Sequence, residues 1–216
     1  MEDTNKLSRN GPVHFQSLEM ELDQVKQHFS GQTLNAGCGN RDISAILLNL
    51  GADHVVNYDI ESSIPNAQIG PLKETPFSSG QFDTIFCNAV LEHVPEVSKV
   101  MTEMVRILKP DGKIIAAIPF LQPFHLAPTD YRRYTRDGLV ELGQMHDLRH
   151  LEIIPVHNIT QTLGWIAWEW AKEKGRLQKI LVYPLIWLST RVFYKTDFSV
   201  TNNANAYQIV FAKVKK

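Results

Sequence analysis

The residues most able to do chemistry cluster in four short runs. The first is Leu34-Asn35-Ala36-Gly37-Cys38-Gly39-Asn40, a glycine-rich turn after an apolar run. Glycines at such a turn let a ligand lie against bare backbone, although a plain structural turn explains this fragment equally well. The second is Asp59, twenty residues after Gly39 and at the end of the run His54–Tyr58. A carboxylate there suits a ribose diol across the switch point of a sheet; an exposed turn aspartate is the simpler alternative. The third is Asn88-Ala89-Val90-Leu91-Glu92-His93-Val94, and the fourth runs from Pro119 to Thr135. That last run holds His125, Asp130, Tyr131, Arg132, Arg133 and Tyr134, which together offer a base, anion-binding groups and stacking surfaces. Its simpler reading is a loop in which Asp130 pairs with an arginine and the tyrosines pack.

The pattern along the chain predicts what positions these groups. Residues 1–16 read as a loose polar arm. Leu18, Leu22, Val25 and Phe29 line one face of a helix closed by Gly31. Strands are expected at 32–36, 54–58, 82–87, 113–118, 151–156 and 206–214, alternating with helices. Pro95 suits a first helical turn and Thr135 a cap. Lys109-Pro110-Asp111-Gly112 reads as a turn. Such alternation argues for an α/β fold with a largely parallel sheet covered on both faces.

The expected organisation is one domain over 1–216: an arm and helix (1–30), a cofactor-binding core (31–156), a helical insertion (157–205) and a final strand (206–216). The insertion holds all four tryptophans. Ile159, Leu163, Ile166, Ala167 and Trp170 are predicted to form the core-facing side of its first helix. Trp165 and Trp168 would then need a second partner.

Composition excludes several classes. The net charge of −1 gives no global field for nucleic acid or anionic membrane. The two cysteines, Cys38 and Cys87, form no pair with ligand spacing and suit a reducing compartment. No histidine or carboxylate set shows metal-ligand spacing, so no metal is expected. The first residues lack an apolar signal-peptide core, and no apolar run is long enough to span a bilayer. A cytoplasmic protein is the resulting expectation, with membrane-surface contact through 157–205 and a homodimer left open.

Cofactor type follows from Asp42. A dinucleotide fingerprint would place a glycine there, and an aspartate would set an anion beside the pyrophosphate. S-adenosylmethionine carries no phosphate and a cationic sulfonium, so the objection disappears. Five segments then resemble class I S-adenosylmethionine-dependent methyltransferases of the type 11 kind. They are Leu34–Gly39, Tyr58-Asp59-Ile60, Thr75-Pro76-Phe77 with Gln81–Ile85, Asn88–Val94 and Leu108–Lys113, in matching order and spacing over 31–119.

The resemblance implies a Rossmann-like, doubly wound, seven-stranded mixed sheet with a helical insertion before the last strand. It implies cofactor contacts at Asn35, Gly37, Cys38, Gly39, Asp59, Ile60, Leu72, Asn88 and Ala89. Asn35 stands where an acidic residue is usual. Pro71 stands where an aspartate often holds the adenine amino group, leaving backbone near Leu72 for that task. The run after the fifth strand resembles a segment in methyltransferases acting on small molecules or on saccharide and lipid intermediates. Its expected roles are His125 and Tyr131 in catalysis, and Arg132, Arg133 and Tyr134 with His93 toward the acceptor. His93 also reads as a helix cap. A non-catalytic module that only binds S-adenosylmethionine, and a nicotinamide oxidoreductase, are the alternatives; turnover to S-adenosylhomocysteine and dialysis against NAD separate them. Without an Asn-Pro-Pro-Tyr type motif, nucleic acid is not the expected acceptor.

Overall fold

The computed structural model describes residues 11–125, 129–193 and 202–214. Its elements, in chain order, are α1 (Leu18–Asp23), β1 (Gly31–Ala36), α2 (Ser44–Asn49), β2 (Ala52–Asp59), β3 (Gln68–Ile69), β4 (Phe82–Asn88) and α3 (Val97–Ile107). There follow β5 (Leu108–Pro119), α4 (Arg136–Gln144), β6 (Leu148–Val156), α5 (Ile159–Lys174), α6 (Arg176–Val192) and β7 (Ala206–Lys213). They build one seven-stranded sheet in the order β3-β2-β1-β4-β5-β7-β6. β7 is antiparallel to both neighbours, and the β1–β5 ladders are parallel.

Alternation along the strands feeds two cores. Ile114, Ala116 and Ile118 of β5 face Met101, Met104 and Ile107 of α3 and Leu139 and Leu142 of α4. Ile115, between them, faces the other layer, with Leu22, Val25 and Phe29, and Ile43 and Leu47 near α2. Each fully buried side chain of this size contributes roughly 1.5–3 kcal/mol.

Several expectations change in detail. The first helix stops at Asp23 and resumes as a 3-10 turn at Lys26–His28, which still buries Val25 and Phe29. Lys109–Gly112 is a turn only locally. Asp111 has φ +67°, and the residues between Leu108 and Lys113 bulge inside β5, because Phe82 pairs with Leu108 and Thr84 already with Lys113. β3 has two exposed residues and no apolar pattern to announce it.

The arm is not loose over its described part. Gly11, Pro12 and Val13 are buried, His14 carbonyl accepts from Gln161 Nε2 at 2.8 Å, and Phe15 meets Trp165 edge-on. Residues 1–10 lie outside the described part.

The insertion is a helical hairpin, but its buried side is not the predicted one. Gln161, Thr162, Gly164 and Ala171 are buried, whereas Ile159, Leu163, Ile166 and Trp170 are exposed. Gly164 decides this. A Cβ there would lie 3.1 Å from Ile186 and Thr190, so only this face lets α6 approach so closely. The Asn158–Gln161 capping box fixes the helix entry on the same side.

Candidate active site

Strand direction gathers the four chemical runs at one edge. The carboxyl ends of β1, β2, β4 and β5 lie together, and β6 also ends there, since it runs antiparallel to β7. The loop after β5 and the α5–α6 hairpin therefore leave from that edge, where ligands bind in open α/β sheets.

The turn after β1 is built to expose backbone. Gly37 and Gly39 have φ +75° and +57°, conformations that favour glycine. The Gly37 and Cys38 amides donate to Tyr58 carbonyl at 2.8 and 3.2 Å. A Cβ on Gly37 would strike Val90 at 2.3 Å, whereas one on Gly39 meets nothing within 4 Å. Open space thus lies over Gly39. Asp59 borders it, with Oδ2 accepting from the Gly39 amide at 2.7 Å and Oδ1 from the Glu61 amide at 3.2 Å. Its remaining lone pairs are open to a diol. Ser62 Oγ closes the loop by donating to Gly39 carbonyl at 2.5 Å.

Around this space, Ile60 is 72% exposed. Ala89 is exposed at the end of β4 with φ +54°, a strained conformation for a residue with a Cβ. Cys38 is buried, and burial raises its thiol pKa, so it stays protonated. Two residues have other commitments. Asn35 is buried, and its Nδ2 donates to Asn57 Oδ1 at 2.8 Å across the β1–β2 ladder. Leu72 packs its side chain into the core, leaving only backbone for a ligand.

The acceptor side forms where the β5 loop docks on the segment after β4. Tyr131 amide donates to Glu92 carbonyl at 2.9 Å. Arg132 donates to the carbonyls of Val94 (2.7 Å) and Pro95 (2.9 Å), and Arg133 grips both oxygens of Asp130 and the Pro123 carbonyl. Both guanidinium groups are thus engaged in holding the loop, not presented to an anion; the residue types alone do not show how many carbonyls surround them. Arg133 also holds the Asp130 carboxyl down at about 2. Tyr134 is half-buried against the core, while Tyr131 is 49% exposed.

His93, Glu92 and His125 come together here. His93 does not cap a helix; Glu96 precedes α3. Its Nδ1 lies 2.6 Å from Thr129 carbonyl, which can only accept, so Nδ1 carries the proton. The His93 ring packs edge-on to His125 at 5.2 Å, and its Nε2 lies 3.7 Å from Glu92 Oε1. Glu92 is fully buried, neither carboxyl oxygen has a hydrogen-bond partner among the described residues, and burial pushes its pKa up to about 7. His125 Nδ1 donates to Pro123 carbonyl at 3.2 Å, which leaves Nε2 as the lone-pair nitrogen. Burial is the main cause lowering its pKa, so the imidazole is neutral at pH 7. Trp165 of α5 lies 6.2 Å from the His125 ring and roofs it.

Donor atoms of Glu92, His93 and His125 lie within 4.8 Å of one another, a ligand-like set that spacing does not reveal, because His125 arrives from 32 residues downstream. Glu92 sits inside a sequence motif, yet only its burial marks it.

Comparison with known proteins agrees with this geometry. Residues 34–116 match the family model described as a methyltransferase domain. The ubiquinone biosynthesis O-methyltransferase of Methylococcus capsulatus is 24% identical over 187 residues, covering 68% of this chain and 79% of that protein. The ubiquinone/menaquinone biosynthesis C-methyltransferase of Vibrio cholerae is 28% identical over 107 residues, 48% of this chain and 40% of that one. Among solved structures, the 1,6-didemethyltoxoflavin-N1-methyltransferase of Burkholderia thailandensis, with S-adenosylhomocysteine bound, superposes with TM-score 0.58 at 14% identity. That superposition covers 98% of this chain and 80% of that one. A methyltransferase domain over residues 34–116, set in a seven-stranded Rossmann-like sheet, marks the chain as an S-adenosylmethionine-dependent methyltransferase, with S-adenosylmethionine as its cofactor. The open face over Gly39 is bordered by Asp59 and the exposed Ile60.

Proposed function

We propose that the chain methylates a hydroxyl group of a small-molecule, saccharide or lipid-linked acceptor, with His125 as general base. The observation that carries this is the neutral His125, with Nδ1 tied to Pro123 and Nε2 left to accept a proton. S-adenosylmethionine supplies an already activated methyl, so positioning and exclusion of water meet much of the barrier. A base is needed only if the acceptor must lose a proton, as a hydroxyl does. Trp165 packs beside His125, Tyr131 offers an exposed ring, and His93 supports the loop through Thr129. The O-methyltransferase among the relatives supports oxygen as the target.

The experiment is turnover to S-adenosylhomocysteine against panels of phenolic, saccharide and amine acceptors. His125→Ala is expected to lower turnover by about 10²–10⁴-fold, with cofactor affinity within about twofold. The active form is unprotonated His125, and its pKa lies below 6.5, so the rate holds at neutral pH and falls only under pH 6.5. No metal step is involved, so activity persists after chelation. A loss restored by one divalent ion would instead assign Glu92, His93 and His125 to a cation. An unchanged rate in His125→Ala would remove the base.

A further inference from the structure

The outer face of the α5–α6 hairpin is a feature that methyl transfer leaves unexplained. Leu163, Ile166 and Trp170 of α5 and Leu181, Leu185 and Leu188 of α6 project into solvent, Leu185 with 67% of its surface exposed. They recur at helical spacing, so each helix presents a continuous apolar stripe. Between the stripes runs a groove of about 700 Å³, lined in part by Leu163, Ala167, Leu185 and Val192. It shares no residue with the glycine turn or the β5 loop. Exposed apolar surface of this extent marks an interaction site.

Charge selects the partner. The hairpin Ile159–Val192 holds five cations, Lys172, Lys174, Arg176, Lys179 and Arg191, against two acidic residues, Glu169 and Glu173, in a protein whose net charge is −1, and α6 itself holds no acidic residue. Lys174 and Arg176 are exposed at the turn of the hairpin, and Arg191 stacks 4.8 Å over the Trp187 ring near the other end. Tyr183, Trp187 and Trp170 are each over two-fifths exposed, and such rings favour a membrane–water boundary. No described helix is long and apolar enough to cross a membrane, and α6 carries Pro184 in its interior. A second copy on a two-fold axis would set this cationic face against itself.

We infer that the α5–α6 hairpin docks flat on an anionic lipid bilayer, with its apolar stripes in the headgroup boundary and its basic ends on the headgroups. The inner side of the same hairpin carries Trp165 over His125, so docking turns the acceptor side toward the lipid. The inference does not rest on the acceptor class.

Flotation of the full chain with phosphatidylcholine vesicles, with and without phosphatidylglycerol, tests it. The protein is expected to float only with the anionic vesicles and to be released by salt. Lys174→Gln with Arg176→Gln should weaken binding about thirtyfold, which is two cations at about 1 kcal/mol each. Leu181→Glu with Leu185→Glu should abolish it. All four positions are exposed, so the fold persists, checked by unchanged S-adenosylmethionine binding. Protein that stays unbound in both vesicle types, or the charge variant floating as well as wild type, would overturn the inference. A concentration-dependent dimer lost in Leu185→Glu would give the face to a second copy instead. Turnover on a water-soluble acceptor is scored separately, so failure here leaves the catalytic reading standing.

Discussion

Two glycines separated by one residue do different work. Gly37 is confined by Val90 in the fold itself, whereas Gly39 faces open space and needs no Cβ-free contact from the protein. Gly39→Ala should therefore cost only the left-handed backbone penalty, roughly 1–2 kcal/mol, seen as a melting point lower by about 2–8 °C. Cofactor binding, measured by calorimetry, should fall much further, because the added methyl enters the ligand's space. Asp59→Ala should weaken it by about 1–3 kcal/mol by unpairing the ribose hydroxyls. Unchanged affinity in both variants would move the cofactor elsewhere. At this scale the sequence was informative for Gly37, Gly39 and Asp59, whose types and spacing carry their geometry. For the β5 loop the simpler sequence reading, Asp130 paired with an arginine, is the one the structure shows at Arg133, whereas the carbonyl partners of Arg132 and the Asn57 partner of Asn35 were not legible.

Among the elements, α5 teaches most. Its apolar stripe was legible as a stripe, yet the opposite, partly polar side is the one that packs. Gly164 sets the distance to α6, with Ile186 and Thr190 just beyond it. Gly164→Leu should force the hairpin apart at a cost of about 1–3 kcal/mol, the usual penalty of overpacking. Thermal unfolding followed by tryptophan emission reads this out, because Trp165 and Trp168 sit on the packed side. If stability is unchanged, the close crossing of α5 and α6 is not what orients the hairpin. The long strands and α3 were legible because burial imposes periods of 2 and 3.6 on them. Two-residue β3 and the bulge in β5 were not, because pairing with a neighbour defines them and pattern does not.

The molecule as a whole depends on its last strand. β7 lies between β5 and β6, and Ile209, Val210 and Phe211 are fully buried. Truncation after Asn205 should remove β7, which among the described residues joins β6 to the sheet. The product should unfold without a cooperative transition in calorimetry; a cooperative, cofactor-binding remnant would mean that the first five strands suffice. The alternating elements, the glycine turn, its aspartate and the choice of a cofactor without pyrophosphate were all determined by the sequence itself, because local period and residue chemistry carry them. Tertiary structure alone decided that Glu92, His93 and His125 meet, that Arg132 holds the carbonyls of Val94 and Pro95, and that the hairpin shows its apolar side outward. Those outcomes depend on which distant groups fill the space around each side chain, and spacing along a chain does not encode the direction from which a neighbour arrives.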